Sequence, residues 1–73
     1  MNSKFKRGDF FIYKKDQVGI CGRVNGVLSD MVEYEIIRDF GMKPDDGMGF
    51  SVGSKFYRSS RIITEEEALA YAI

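Results

Sequence analysis

Apolar positions in the first half of the chain fall in short runs with a period of two, separated by polar or glycine-bearing breaks. Phe10-Phe11-Ile12-Tyr13 follows the turn pair Gly8-Asp9, and its aromatic and β-branched content predicts a strand. Phe11 and Tyr13 share one face, Phe10 and Ile12 the other. Both faces are apolar, so the strand is expected to be covered on both sides or to border a partner surface. After the polar break Lys15-Asp16-Gln17, Val18 to Val24 predicts a second strand. Val18, Ile20, Gly22 and Val24 face one way, Gly19, Cys21 and Arg23 the other. Glycines inside a strand mark bending or close backbone approach, and here they predict a strongly curved sheet. Asn25-Gly26 is a strong hairpin signal, although Val27 to Asp30 leaves room for a longer connection. Met31 to Arg38 alternates, with Val32, Tyr34 and Ile36 set against Glu33, Glu35 and Ile37, which predicts a strand with one wet face.

Phe40 to Gly49 is irregular, and Lys43-Pro44-Asp45-Asp46-Gly47 carries turn chemistry. Phe50-Ser51-Val52 and Lys55 to Ile63 predict two more strands around Gly53-Ser54. Thr64 with Glu67 forms a capping box that opens a helix from Glu65 to about Tyr71. Glu65, Glu66 and Glu67 suit the positive end of its dipole. Ala68, Leu69 and Ala72 form a small apolar face, expected to dock on the end of a barrel. The pattern predicts a mainly β fold, five short strands in a small barrel with a short C-terminal helix.

Composition sharpens this picture. A chain of 73 residues is expected to be one domain, residues 1–73, and a domain of that size buries only about 60% of its unfolded surface. The aromatic content of 14% compensates, because each ring brings a large buried area. Phe5, Phe11, Tyr34 and Phe56 are expected inside. The single cysteine, Cys21, rules out an internal disulfide. With no signal-like segment and no apolar run of membrane-spanning length, this points to the cytoplasm and to no membrane association.

The segment Phe5, Gly8-Asp9, Phe11, Tyr13, then Gly19-Ile20-Cys21-Gly22-Arg23-Val24 resembles the opening of small SH3-like barrels. It is similar in particular to the KOW motif, in which a Gly-Asp turn leads into a strand and a G-x-x-G-x-V segment follows. The resemblance covers about the first third of the chain. It implies an SH3-like fold and two kinds of partner. KOW-type domains are associated with RNA, ribosomes or RNA polymerase, whereas Tudor and other SH3-like barrels bind peptides or methylated side chains.

The 11 basic and 11 acidic residues cancel, which argues against a generic nucleic-acid wrapper. The charges are segregated, however, so a basic face and an acidic face can coexist. Histidine is absent, which removes the commonest general base and metal ligand. Cys21 reads as a buried, inert thiol. Asp45-Asp46-Gly47 lacks the alternating ligands of a calcium loop. No catalytic residue, cofactor or metal is therefore expected. The leading expectation is a non-enzymatic protein-interaction module, a small regulator or inhibitor of phage type docking on a larger complex. Its contact residues are expected among Phe40, Phe50, Tyr57, Arg58 and Arg61, since arginine and tyrosine recur at interface hot spots. The alternative is a KOW-like nucleic-acid-binding or RNA-polymerase-associated domain that uses Lys4, Lys6, Arg7, Lys14 and Lys15. Self-association is a further expectation, because a two-faced apolar strand in so thin a core can leave a patch to cover.

Overall fold

Three long strands and two tight turns make the frame. In the computed structural model, which describes residues 4–43, 49–51 and 54–73, β1 (Phe10–Lys15), β2 (Val18–Leu28) and β3 (Met31–Phe40) form an antiparallel meander. Lys15 pairs with Val18 and Leu28 with Met31, so each connection has only two residues between paired positions. Each turn begins with a left-handed residue, Asp16 (φ 59°) and Ser29 (φ 52°). Short polar side chains tolerate that conformation because they can bond locally. Asn25-Gly26 is not a turn. It lies inside β2, and the register of β2 against β3 shifts between Val24 and Gly26, so this glycine sits at a bulge.

Two three-residue strands flank the meander, β4 (Gly49–Ser51) on β3 and β5 (Arg61–Ile63) on β1, giving the order β4-β3-β2-β1-β5. The fold is mainly β, but the expected small barrel of five short strands is not formed, because the sheet does not close. Register shifts at Cys21/Gly22 and Val24/Gly26 bend β2. Among the described residues, β4 and β5 remain at opposite edges and do not pair with each other.

The strand expected over Lys55 to Ile63 is also replaced. Residues Lys55–Ser59 form a helical turn, α1, and only Arg61–Ile63 is extended. Ser54 explains the change. Its hydroxyl accepts from the Tyr57 backbone N–H at 3.1 Å, and its carbonyl accepts from Arg58 N–H at 3.0 Å. A serine that satisfies the free N–H groups of a first turn overrides the β preference of Phe and Tyr. Tyr57, Ser59 and Arg61 therefore do not share a strand face. The turn chemistry of residues 44–47 and the side chains of Phe50 and Phe56 lie outside what is described.

The C-terminal helix α2 (Glu65–Ala72) has the expected capping box: Thr64 Oγ1 accepts from Glu67 N–H at 3.1 Å, and the Glu67 carboxylate accepts from Thr64 N–H at 3.5 Å. It docks on a face of the sheet through Ala68 and Tyr71, one turn apart. Leu69 and Ala72, expected in the contact, point to solvent. Tyr71 meets Phe40 edge to face, with ring centres 5.8 Å apart, and this contact fixes the helix rotation.

The sheet is covered on both sides, as the pattern of β1 requires. Ile12, Cys21, Ile63 and Ala68 form the smaller core beneath α2. Phe5, Phe11, Ile20, Val24, Val32 and Tyr34 form the larger one, with Tyr13, Ile36, Met42 and Tyr57 packed around it. Within it, four rings run edge to face. Tyr34 meets Phe11 at 5.4 Å, Phe11 meets Phe5 at 5.6 Å, and Phe5 meets Tyr57 at 5.6 Å. Gly22 makes room for this row, since a Cβ there would lie 2.8 Å from both the Phe11 ring and the Glu35 carbonyl oxygen. The Gly8-Asp9 turn is tied to β2: Gly8 N–H donates to the Val24 carbonyl, and Val24 N–H donates to that of Asp9, both at 2.8 Å.

Two substitutions test this packing by urea denaturation. Gly22→Ala overpacks the Phe11 site and should cost about 1–3 kcal/mol; an unchanged midpoint would show that the ring row is not close-packed there. Phe5→Ala opens a cavity between two rings and should cost about 3–5 kcal/mol. That is most of the stability of a small domain, so its midpoint should fall much further than that of Gly22→Ala.

Candidate functional site

The row of rings sets the position of α1, and α1 builds one wall of a groove. Tyr57 is half-buried against Phe5, and its hydroxyl accepts the Lys4 backbone N–H at 2.6 Å. The Lys4 ammonium donates to the Ser60 carbonyl at 2.6 Å and lies 4.9 Å from the Tyr57 ring centre. These contacts clamp the N-terminal segment onto the end of α1. The next residues, Arg58 and Ser59, then face the end of β1. With Tyr13, Lys14 and Lys15 they line a groove of about 430 Å³.

A second hollow of about 230 Å³ adjoins it, lined by Tyr13, Lys15, Asp16, Val18 and Met42. Tyr13 and Lys15 belong to both. The chain is brought back to this point by a turn after β3. There the Asp39 carboxylate accepts from Met42 N–H at 2.8 Å and from Lys43 N–H at 3.1 Å, while Gly41 takes φ 86°. That positive φ suits glycine, and the turn lays Met42 against the larger core. Val18, at the start of β2, is 44% exposed and gives the hollow an open apolar side.

The structure separates the two expected sets of site residues and recombines parts of each. Arg58, from the protein-contact set, lines one groove with Lys14 and Lys15, from the nucleic-acid set. Lys14 contributes to the wall while its ammonium rests 5.4 Å from the centre of the Phe40 ring. Among the described residues, no carboxylate lies within ion-pairing distance of Lys15 or Arg58; the pair that does form is Arg23 with Glu35, at 3.8 Å on the surface. Phe40 is half-buried between Tyr71 and the cations of Lys14 and Arg38, so its evident work is to anchor α2. Tyr57 and Lys4 are taken up by the clamp. Arg61 is exposed on β5 opposite Ile12, away from the groove lining. Lys6 and Arg7 sit in the turn before β1, whereas Lys14 and Lys15 end it. A strand of that length separates them by roughly 20 Å, so the early basic cluster is not one surface.

Sequence reasoning marked Tyr13 only as one of the surplus aromatics and missed Val18 and Met42 as site residues. A signal existed for Met42, because Asp39 followed by Gly41 is turn chemistry. Nothing in the local sequence places α1 beside the end of β1.

Burial raises the Cys21 thiol above its ordinary 9.0 and the Tyr34 phenol above its ordinary 10.0. Cys21 is fully buried in the core beneath α2, a setting for an inert thiol rather than a nucleophile. Among the described residues there is no cluster of three His, Cys, Asp or Glu residues able to hold a metal ion, and no helix long and apolar enough to cross a membrane.

The two raised pKa values fix a pH dependence. Each group holds its proton more tightly in the folded chain, so its contribution is complete below the unfolded pKa and is lost as pH rises through the folded one. The urea midpoint should not vary with pH through these groups between about pH 7 and about pH 8.5, where their contribution is constant, and should fall above about pH 9. Cys21→Ala should remove part of the alkaline loss. In the native protein a water-soluble thiol reagent should react only at the rate of unfolding.

No protein-family model, curated protein or solved structure matches this chain.

Proposed function

We propose that the chain is a non-enzymatic, SH3-like binding module that docks on a partner protein through the groove between β1 and α1, acting as a small regulator or inhibitor of a larger complex. One observation carries the reading. Lys15 and Arg58, distant in sequence, line one groove with Tyr13, Lys14 and Ser59, beside an apolar hollow. Arginine and tyrosine flanked by apolar surface are the residue types on which interface energy concentrates. At fold level, the order β4-β3-β2-β1-β5 with one helical turn before the last strand supports the SH3-like description. The buried free thiol of Cys21 fits a reducing compartment such as the cytoplasm.

The same cations favour a second reading, a KOW-like nucleic-acid binder, and the bonding of Gly8-Asp9 to Val24 fits the opening of that motif. Salt separates the two. Labelled single-stranded and duplex DNA and RNA should not bind even at low salt; tight binding that collapses as salt rises would instead establish phosphate contacts. In affinity capture, Lys15→Glu with Arg58→Glu should weaken retention of a specific protein at least about tenfold. Its unfolding free energy from urea titration should change by less than about 0.5 kcal/mol, as for other surface changes, and Arg61→Ala should leave retention intact. Retention unaffected by the double charge reversal would move the interface elsewhere.

A further inference from the structure

The groove and the hollow share a wall, and their lining differs in kind. One is lined by Lys15 and Arg58, which carry the cations, together with Ser59. The other is lined by Val18 and Met42, together with Asp16. We infer that the docking surface takes an acidic peptide segment bearing one large apolar side chain, with the carboxylates at Lys15 and Arg58 and the apolar side chain between Val18 and Met42. The inference rests on the protein-docking reading above and names the chemistry of its ligand.

Three features select a peptide over a phosphodiester chain. First, Asp16 follows Lys15 in the chain and lines the hollow with it, so a second phosphate of a continuous backbone would meet a like charge there. A peptide presents an uncharged backbone there and can carry its charges at one end only. Second, the cations do not form a track: Lys6 and Arg7 lie at the far end of β1, and Lys4 is held by Ser60. Third, the formal net charge is zero, so long-range attraction to a polyanion is weak and recognition depends on local complementarity. The apolar hollow adds what charge alone lacks. Carboxylates set orientation and speed of encounter, and a buried aliphatic side chain supplies affinity that salt does not screen.

The test uses the full chain and synthetic probes. Labelled peptides of about twelve residues carry a run of glutamates and a single leucine placed at several short spacings from it. Matched peptides carry serine for leucine or lysine for glutamate, and oligo-dT of equal length is the phosphodiester probe. Affinity is read by fluorescence anisotropy at physiological salt, and the surface by backbone amide shifts. At one or more spacings the acidic leucine peptide should shift the amides of Lys15, Val18, Met42 and Arg58. It should bind about tenfold more tightly than the serine peptide. Val18→Ser should erase that advantage without altering the serine peptide's affinity, while Lys15→Glu with Arg58→Glu should abolish both. Equal affinity of the leucine and serine peptides at every spacing would overturn the inference while leaving the groove as the docking site. Tighter binding of oligo-dT than of any peptide would overturn it in favour of the nucleic-acid reading. Shifts at none of these amides with any probe would overturn both the inference and the groove itself.

Discussion

Four rings in edge-to-face succession, Tyr34, Phe11, Phe5 and Tyr57, join four separate parts of the chain. Tyr34 belongs to β3 and Phe11 to β1, Phe5 lies ahead of the sheet, and Tyr57 is in α1. A thin core cannot gain stability from volume, so it gains it from a few large side chains whose quadrupoles favour perpendicular contact. Gly22 is part of the same device, since any side chain there would occupy the space of the Phe11 ring. The groove is a by-product of this row. Tyr57 is locked in place, Arg58 is its neighbour in sequence, and the end of β1 lies opposite.

The second constraint is that β1 is apolar on both faces. A central strand of this kind must be covered twice, and the chain meets the demand with unequal means. One side receives the N-terminal segment, α1 and the turn after β3. The other receives α2, which contributes Ala68 and Tyr71. Cys21 and Ile12 point to the α2 side, which is why a thiol in the middle of the sheet stays protonated and shielded.

What the sequence disclosed and what it hid divide along physical lines. Period-two alternation located β1, the core of β2 and β3, because side-chain direction in a strand is fixed by the backbone alone. The capping box located α2, because Thr64 and Glu67 interact with their own backbone. The misreadings came where local chemistry and tertiary context competed. Asn25-Gly26 has the composition of a turn, but Val27 and Leu28 continue the pairing with Val32 and Met31 and hold it inside the strand. Lys55 to Ser59 has β-forming aromatics, but Ser54 caps a helical turn and Tyr57 gains a seat on Phe5. The groove was half legible. Each basic residue was visible singly, but their grouping depends on contacts between the two ends of the chain, which no window of sequence contains.

That dependence ties the binding surface to the order in which the chain assembles. β1, β2 and β3 are linked by two-residue turns, so their pairing is local and carries a small loop-closure cost. The clamp joins Lys4 to Tyr57 across 53 positions, and β5 must return to the first strand. The meander therefore has the topology of an early-forming unit, and the wall carrying Arg58 that of a late one. A chain in which the clamp has not yet closed lacks the opposite bank of the groove, so occupancy of the groove by a ligand reports completed folding and, by mass action, holds the clamp closed.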